Sequence, residues 1–141
     1  MKKSWEQIHQ ELSEPFSHED VEWKIQTVSK DKSRGLAVAY VTARAIQNRL
    51  DAVVGAQNWK PVFRQWHTVT DRDGNPIPSQ LCTIQIFDDE RHEWMEKTDG
   101  AENTDYEPVK GGLSDAMKRA ASQWGIGRYL YKLGTPWVDV E

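Results

Sequence analysis

Two adjacent cations, Lys118 and Arg119, sit inside the run KGGLSDAMKRAASQWGIGRYLY and are the side chains whose type and placement point most directly to chemistry. At 100° per residue Leu113, Met117, Ala120, Ala121 and Trp124 fall on one side of a helix, which marks that side as core. Lys118 and Arg119 straddle the opposite side with Asp115 and Ser122 between them, and Gly125 and Gly127 end the helix. Cations held on a rigid element suit a track of phosphates. The same spacing also describes an ordinary amphipathic helix with a solvated Lys-Arg pair, and the pattern alone leaves both readings open. Gly111, Gly112, Ala116, Ala120 and Ala121 imply that a backbone or another helix approaches closely.

Further cations lie upstream. Thr42 can cap a helix in which Ile46, Leu50, Val53 and Val54 share a face, with Arg44 on the opposite face and Arg49 on its flank. Lys60 and Arg64 follow in a strand-like segment, and Lys110 opens the C-terminal run. These five, Arg44, Arg49, Lys60, Arg64 and Lys110, add to the basic side chains that regular elements could present.

The search for catalytic groups is negative. His9, His18, His67 and His92 show neither an i, i+4 pair nor a carboxylate at metal-ligand spacing, and the single cysteine, Cys82, permits neither a disulfide nor a thiolate zinc site. GGLSDAMK enters a helix through glycines, but its spacing is wrong for a triphosphate cradle. The expectation is therefore a protein without catalytic residues, metal or cofactor. One competing class stays open: the acids from Asp88 to Glu107 could serve a magnesium-dependent nuclease, although no strand-borne E-x-K arrangement accompanies them.

The whole chain of 141 residues carries a formal net charge of -4, which by itself speaks against a nucleic-acid partner. The distribution reverses that inference. Residues 1–20, 21–70, 71–108 and 109–141 hold local charges of -3, +5, -8 and +2, so an acidic chain can still present a basic face.

The elements that must position these residues read as helix, strand, strand, helix, three strands, helix. Ser4 and Gln7 form a capping box ahead of Trp5, Ile8 and Leu12, and Pro15 stops this short helix. In VEWKIQTV, Val21, Trp23 and Ile25 alternate with Glu22, Lys24 and Gln26, the period of a half-buried strand. LAVAYV reads as a fully buried strand. Asn58 to Thr70 reads as another, joined through the turn DRDGNPIP to SQLCTIQIF, where Cys82, Ile84 and Ile86 share the core face. HEWMEK is a third short strand, and Asp99 to Glu107, without apolar periodicity, is expected to be a loop. The fold class is α+β: an antiparallel β-β-β-α core packed on a long helix, with a short N-terminal helix, in one domain over residues 1–141.

Seven tryptophans are many for this length, and aromatic faces can stack on unpaired bases. Trp23, Trp124 and Trp59 pattern as core, whereas Trp66 and Trp94 on the hairpin strands suit an exposed or interfacial role. No window reaches a membrane-spanning length and no apolar stretch follows the N-terminal lysines, so a cytoplasmic protein without a membrane partner is expected.

The run KGGLSDAMKRAASQWGIGRYLY resembles the signature helix of the Rad-fifty-two/Rad-twenty-two type of single-strand annealing proteins, especially their DdrA-like bacterial and phage members. AYVTARAIQNRLDAVVGAQNW and LSEPFSHEDVEWK resemble the family's helix with its following strand and its opening segment, and together the three blocks cover most of the chain in the family's order. The resemblance implies a β-sheet packed on a helix, assembled side by side into a ring or open helical homo-oligomer with single-stranded DNA in its groove. By position, Lys118 and Arg119 match the family's basic pair, and the DNA-binding set expected with this resemblance is Lys118, Arg119, Arg44, Arg49, Lys60, Arg64 and Lys110. The earlier helix departs by one position at Arg44, and the acidic stretch before Lys110 is more basic in eukaryotic members.

The implied function is single-stranded DNA binding and ATP-independent annealing of complementary strands in recombination or double-strand break repair. A nuclease or a single-strand-binding protein is the expected protein partner. A protein-interaction module for a recombination partner is the alternative of a different class.

Overall fold

The computed structural model describes residues 2–66, 70–103 and 108–140. Helix α1 spans Trp5–Leu12 and opens on the Ser4 hydroxyl, which accepts from the Gln7 N–H at 3.1 Å. Strands β1 (Val21–Val28) and β2 (Arg34–Val41) form an antiparallel hairpin, with an irregularity between Ile25 and Thr27. The Asp31 carboxylate organises its turn, accepting from the Ser33 hydroxyl and N–H and the Ser29 hydroxyl. Those donors, Ser33 first, hold its pKa down to about 2.

Helix α2 (Ala43–Val54) begins where Thr42 accepts from the Ala45 N–H at 3.1 Å and stops at Gly55, whose φ of 94° favours glycine. Strands β3 (Trp59–Trp66), β4 (Ser79–Asp88) and β5 (Glu93–Glu102) form a second antiparallel sheet with β4 central. Helix α3 (Pro108–Gln123) lies against β4 and β5. A three-residue strand β6 (Trp137–Asp139) returns to pair with β2, giving a first sheet of order β1-β2-β6.

The core lies between α2, α3 and the second sheet. Ile46 and Leu50 from α2, Cys82, Ile84 and Ile86 from β4, and Ala116, Ala120 and Ala121 from α3 are fully or almost fully buried. Burial pushes the Cys82 thiol up to about 12, as an apolar core position requires. Close approach at the start of α3 explains Gly112: a Cβ there would come within 2.5 Å of the Asn103 side-chain oxygen and 2.9 Å of Gln80 Cγ. Trp124 closes the far end, its indole N–H donating to the Ile84 carbonyl at 3.0 Å and its ring stacked on Trp5 at 5.8 Å.

The order of helices and longer strands follows the hydrophobic periods, and the mixed α+β class stands. Several expectations need correction. The strands divide into two three-stranded sheets. Strand β1 is exposed along nearly its whole length, and Trp23 is 54% exposed instead of buried. Strand β2 is buried mainly at alternate positions, not throughout. Both corrections share one cause: among the described residues only Val41, at the hairpin's base, joins the main core cluster from the first sheet. Residues 99–102 belong to β5 rather than to a loop, because β4 supplies a pairing partner for each of them. On α3, Leu113 is only partly buried and Ala116 takes the inward position. The expected strand end at 67–69 and the acidic residues 104–107 lie outside the described residues.

Candidate nucleic-acid interface

Helix α3 turns its alanine side to the second sheet, so its opposite side is left for Lys118 and Arg119. That side faces the first sheet across a groove of about 720 Å³. Lys110, Ser114, Asp115, Lys118 and Arg119 line one wall, four cations in all against this one carboxylate once Lys24, which lies with Tyr40 in the other wall, is included. Pairing of Glu22 with Tyr40 and of Lys24 with Val38 puts all four side chains on the same face of the hairpin.

Tyr40 organises the cations. The ammonium groups of Lys24 and Lys118 lie 5.8 Å and 5.5 Å from its ring centroid, where the face of the π-system attracts positive charge. Lys118 is partly buried, and burial pushes its pKa below the ordinary lysine value; Lys24 acts in the same direction, while Asp115 and Glu22 oppose it. Glu22 also approaches Lys24 at 3.6 Å, but both side chains are more than half exposed and the pair is weakly held. Arg119 is exposed.

Of the seven cations singled out in the sequence, the groove brings together Lys110, Lys118 and Arg119. Arg44 is exposed in the first turn of α2 and does not line it. Lys60 and Arg64 lie on the face of the second sheet that carries Leu81, Gln85 and Trp94, with the Lys60 ammonium 4.4 Å from the Trp94 ring centroid. Sequence reasoning missed Lys24 and Tyr40 as groove residues. A polar position in an alternating strand signals solvent, and nothing local tells which element stands across that solvent.

Arg49 has a different environment. Its guanidinium donates to the carbonyls of Glu11, Leu12, Glu14 and Pro15 at 2.7 to 3.3 Å and stacks on Phe16 at 4.0 Å. It therefore gathers carbonyls at and just beyond the end of α1 and joins that helix to α2. Arg49→Ala is expected to cost about 2–3 kcal/mol of stability, since several charge-assisted bonds go at once, with the salt dependence of nucleic-acid binding unchanged. Arg49→Lys should recover little, because one ammonium cannot reproduce the planar fork. Urea denaturation beside a binding series in salt checks this; a flattened salt slope with unchanged stability would place Arg49 on the ligand instead.

Among the described residues no group of three or more His, Cys, Asp or Glu side chains could hold a metal ion, and no helix is long and apolar enough to cross a membrane. Two of the acids proposed for a nuclease have visible structural uses. Asp88 accepts from the N–H groups of Glu90 and Arg91 in the β4–β5 turn, and Asp99 accepts from the Gln123 side chain at 3.0 Å.

Residues 4–141 match the model of the Rad52/22 family of double-strand break repair proteins. The chain is 35% identical over 131 residues to the single-stranded DNA-binding protein DdrA of Deinococcus deserti, covering 93% of this chain and 60% of that protein. It is 34% identical over 132 residues to DdrA of Deinococcus radiodurans, covering 94% of this chain and 58% of that one. The chain thus spans a little under two thirds of the length of these relatives. With a match this long, running from the N-terminal cap through α3 to the last strand, the chain belongs to the Rad52/22 family of double-strand break repair proteins.

Proposed function

We propose that this protein binds single-stranded DNA along the α3 groove and, assembled into a ring or helical array, promotes annealing of complementary strands without nucleotide hydrolysis. One observation carries the reading: Lys24, Lys110, Lys118 and Arg119 converge on a single groove in a chain whose formal net charge is -4. Cations gathered in this way neutralise successive phosphates and release counterions, so affinity needs no base sequence. Membership of the Rad52/22 family and the similarity to two single-stranded DNA-binding proteins support the same ligand.

Assembly is part of the proposal, because a single groove offers only a few phosphate contacts and a row of them multiplies the effect. The first sheet supports it. Trp23, Ile25, Val28 and Val138 share the face of this sheet turned away from Tyr40 and are each 37% exposed or more, a density of bare apolar side chains that suits a subunit contact. Annealing then follows from base pairing itself: phosphates are screened, strands are held close, and stacking of the new duplex drives the reaction.

The test is fluorescence polarisation of a labelled single strand across a salt series, with duplex of equal length as competitor, on protein whose oligomeric state is measured in parallel. Preferential single-strand binding that weakens steeply with salt is expected, followed by strand pairing in the absence of ATP. A confirmed oligomer that binds no strand even at low salt would leave a protein-binding module as the better reading.

A further inference from the structure

The groove continues into a second, more enclosed and more apolar pocket of about 150 Å³. Tyr40, Lys118, Ile126, Leu130, Tyr131 and Leu133 are among the residues that line it. Tyr40, Lys118 and Tyr131 belong to both spaces, so the pocket opens beside the ammonium that would hold a phosphate. Resting on the single-strand reading above, we propose that this pocket takes one unpaired base of the bound strand from each subunit's stretch of DNA.

The chemistry separates along the nucleotide. Cations line the groove and favour the phosphate; aliphatic and aromatic side chains line the pocket and favour the faces of a base, which are poorly hydrated compared with its edges. Tyr131 and Leu133 sit at the rim 65% and 42% exposed, positions where large apolar groups gain by covering a ligand. The back wall is kept close by Gly127, which is buried and left-handed at φ 71°, and where an added Cβ would lie 3.2 Å from Val41. Apart from Thr135, the Lys118 ammonium and the hydroxyls of Tyr40 and Tyr131, the side chains that border the space are apolar, so it should accept any base that fits rather than read sequence.

This arrangement bears on annealing. A base parked once per subunit holds the strand against sliding while its neighbours stay free to test a complementary strand. The parked base must leave its pocket to pair, so release becomes a step of duplex formation.

The experiment compares a normal single strand with an abasic strand of the same length and phosphate number, each titrated with wild-type oligomer, Tyr131→Ala and Leu133→Ala across a salt series. Wild type should bind the abasic strand about tenfold more weakly with the same salt slope, because stacking is lost and phosphate contacts are kept. Leu133→Ala, which lines the pocket and not the groove, should lower affinity for the normal strand toward the abasic value while leaving abasic binding unchanged; Tyr131→Ala, which borders both spaces, should weaken the normal strand more than the abasic one. Equal wild-type affinity for the two strands, with steep salt dependence for both, overturns the pocket and leaves the groove standing. Loss of oligomer in the variants, together with that equality, assigns the pocket to a neighbouring subunit's side chain and also overturns the proposal. Failure of either strand to bind overturns the groove and the pocket together.

Discussion

Replacing Lys118 and Arg119 together by alanine should weaken single-strand binding roughly 25-fold at about 0.1 M salt and flatten the slope of log K against log salt by about 1.4, the contribution of two phosphate contacts. The two effects are one effect, since each lost contact removes its share of counterion release. Folding should be nearly untouched. Arg119 is exposed, Lys118 is only partly buried, and alanine is the better helix former at both positions. Lys60→Ala with Arg64→Ala makes the contrast, because those side chains sit on a different face from the groove and should leave the slope within error. A slope changed by the second pair and not by the first would move the DNA to the second sheet. Titration supplies a further arm. The folded Lys118 pKa lies below its unfolded value, so charging this group costs stability at pH below the folded value, and that cost fades as pH rises from the folded value to the unfolded one. A phosphate beside the ammonium favours the charged form, so binding draws a proton back and affinity declines as pH rises toward the ordinary lysine range. Lys118→Arg, charged throughout, should bind without that alkaline decline.

Why these residues could be picked from sequence while their partners could not is a matter of range. The helical period of residues 110–124 places Lys118 and Arg119 opposite an alanine-rich core side, and a helix carries that relation wherever it docks. Thr42 with Ala45 and Ser4 with Gln7 are equally local, so α1 and α2 begin where their capping residues indicate. Strand β1 shows the limit. Alternation in VEWKIQTV marks an apolar face but not its cover, and in this chain Trp23 and Ile25 on that face remain largely bare. Strand β6 escapes notice for another reason: three residues are too few for a period, and their strand character comes from pairing with Arg34, Gly35 and Leu36 more than a hundred positions earlier. Arg49 combines both difficulties. On the flank of an amphipathic helix it reads as a solvated cation, whereas the carbonyls of Glu11, Leu12, Glu14 and Pro15 that hold it have no signature in sequence. Cations on regular elements are thus legible as donors, but whether they serve the fold or a ligand is decided by tertiary contacts.

Trp124→Ala should have the largest effect on stability, a loss of about 3–5 kcal/mol, because it opens a cavity where α1, the second sheet and the end of α3 meet. The ring is 9% exposed, stacks on Trp5 with the planes 16° apart, and carries the Lys97 ammonium at 5.2 Å. Its N–H also ties the helix end to central strand β4 through the Ile84 carbonyl. Trp124→Phe separates these terms. It keeps an aromatic face for Trp5 and part of the volume but no donor, so a loss of about 1–2 kcal/mol is expected, comparable to one buried hydrogen bond. The position also governs the groove at a distance. The chain leaves α3 at Trp124 and passes through Gly125 and Gly127, both with positive φ, to the turn carrying Leu130 and Tyr131. Loosening this anchor should therefore reduce the affinity for a single strand without changing the salt slope, because Lys118 and Arg119 remain on a helix whose other contacts persist. Chemical denaturation and the salt series together distinguish the outcomes. A Trp124→Ala protein less than about 1 kcal/mol weaker than wild type would mean that the junction repacks, and that the Trp5 stack and the Ile84 bond do not hold α1 and α3 to the sheet.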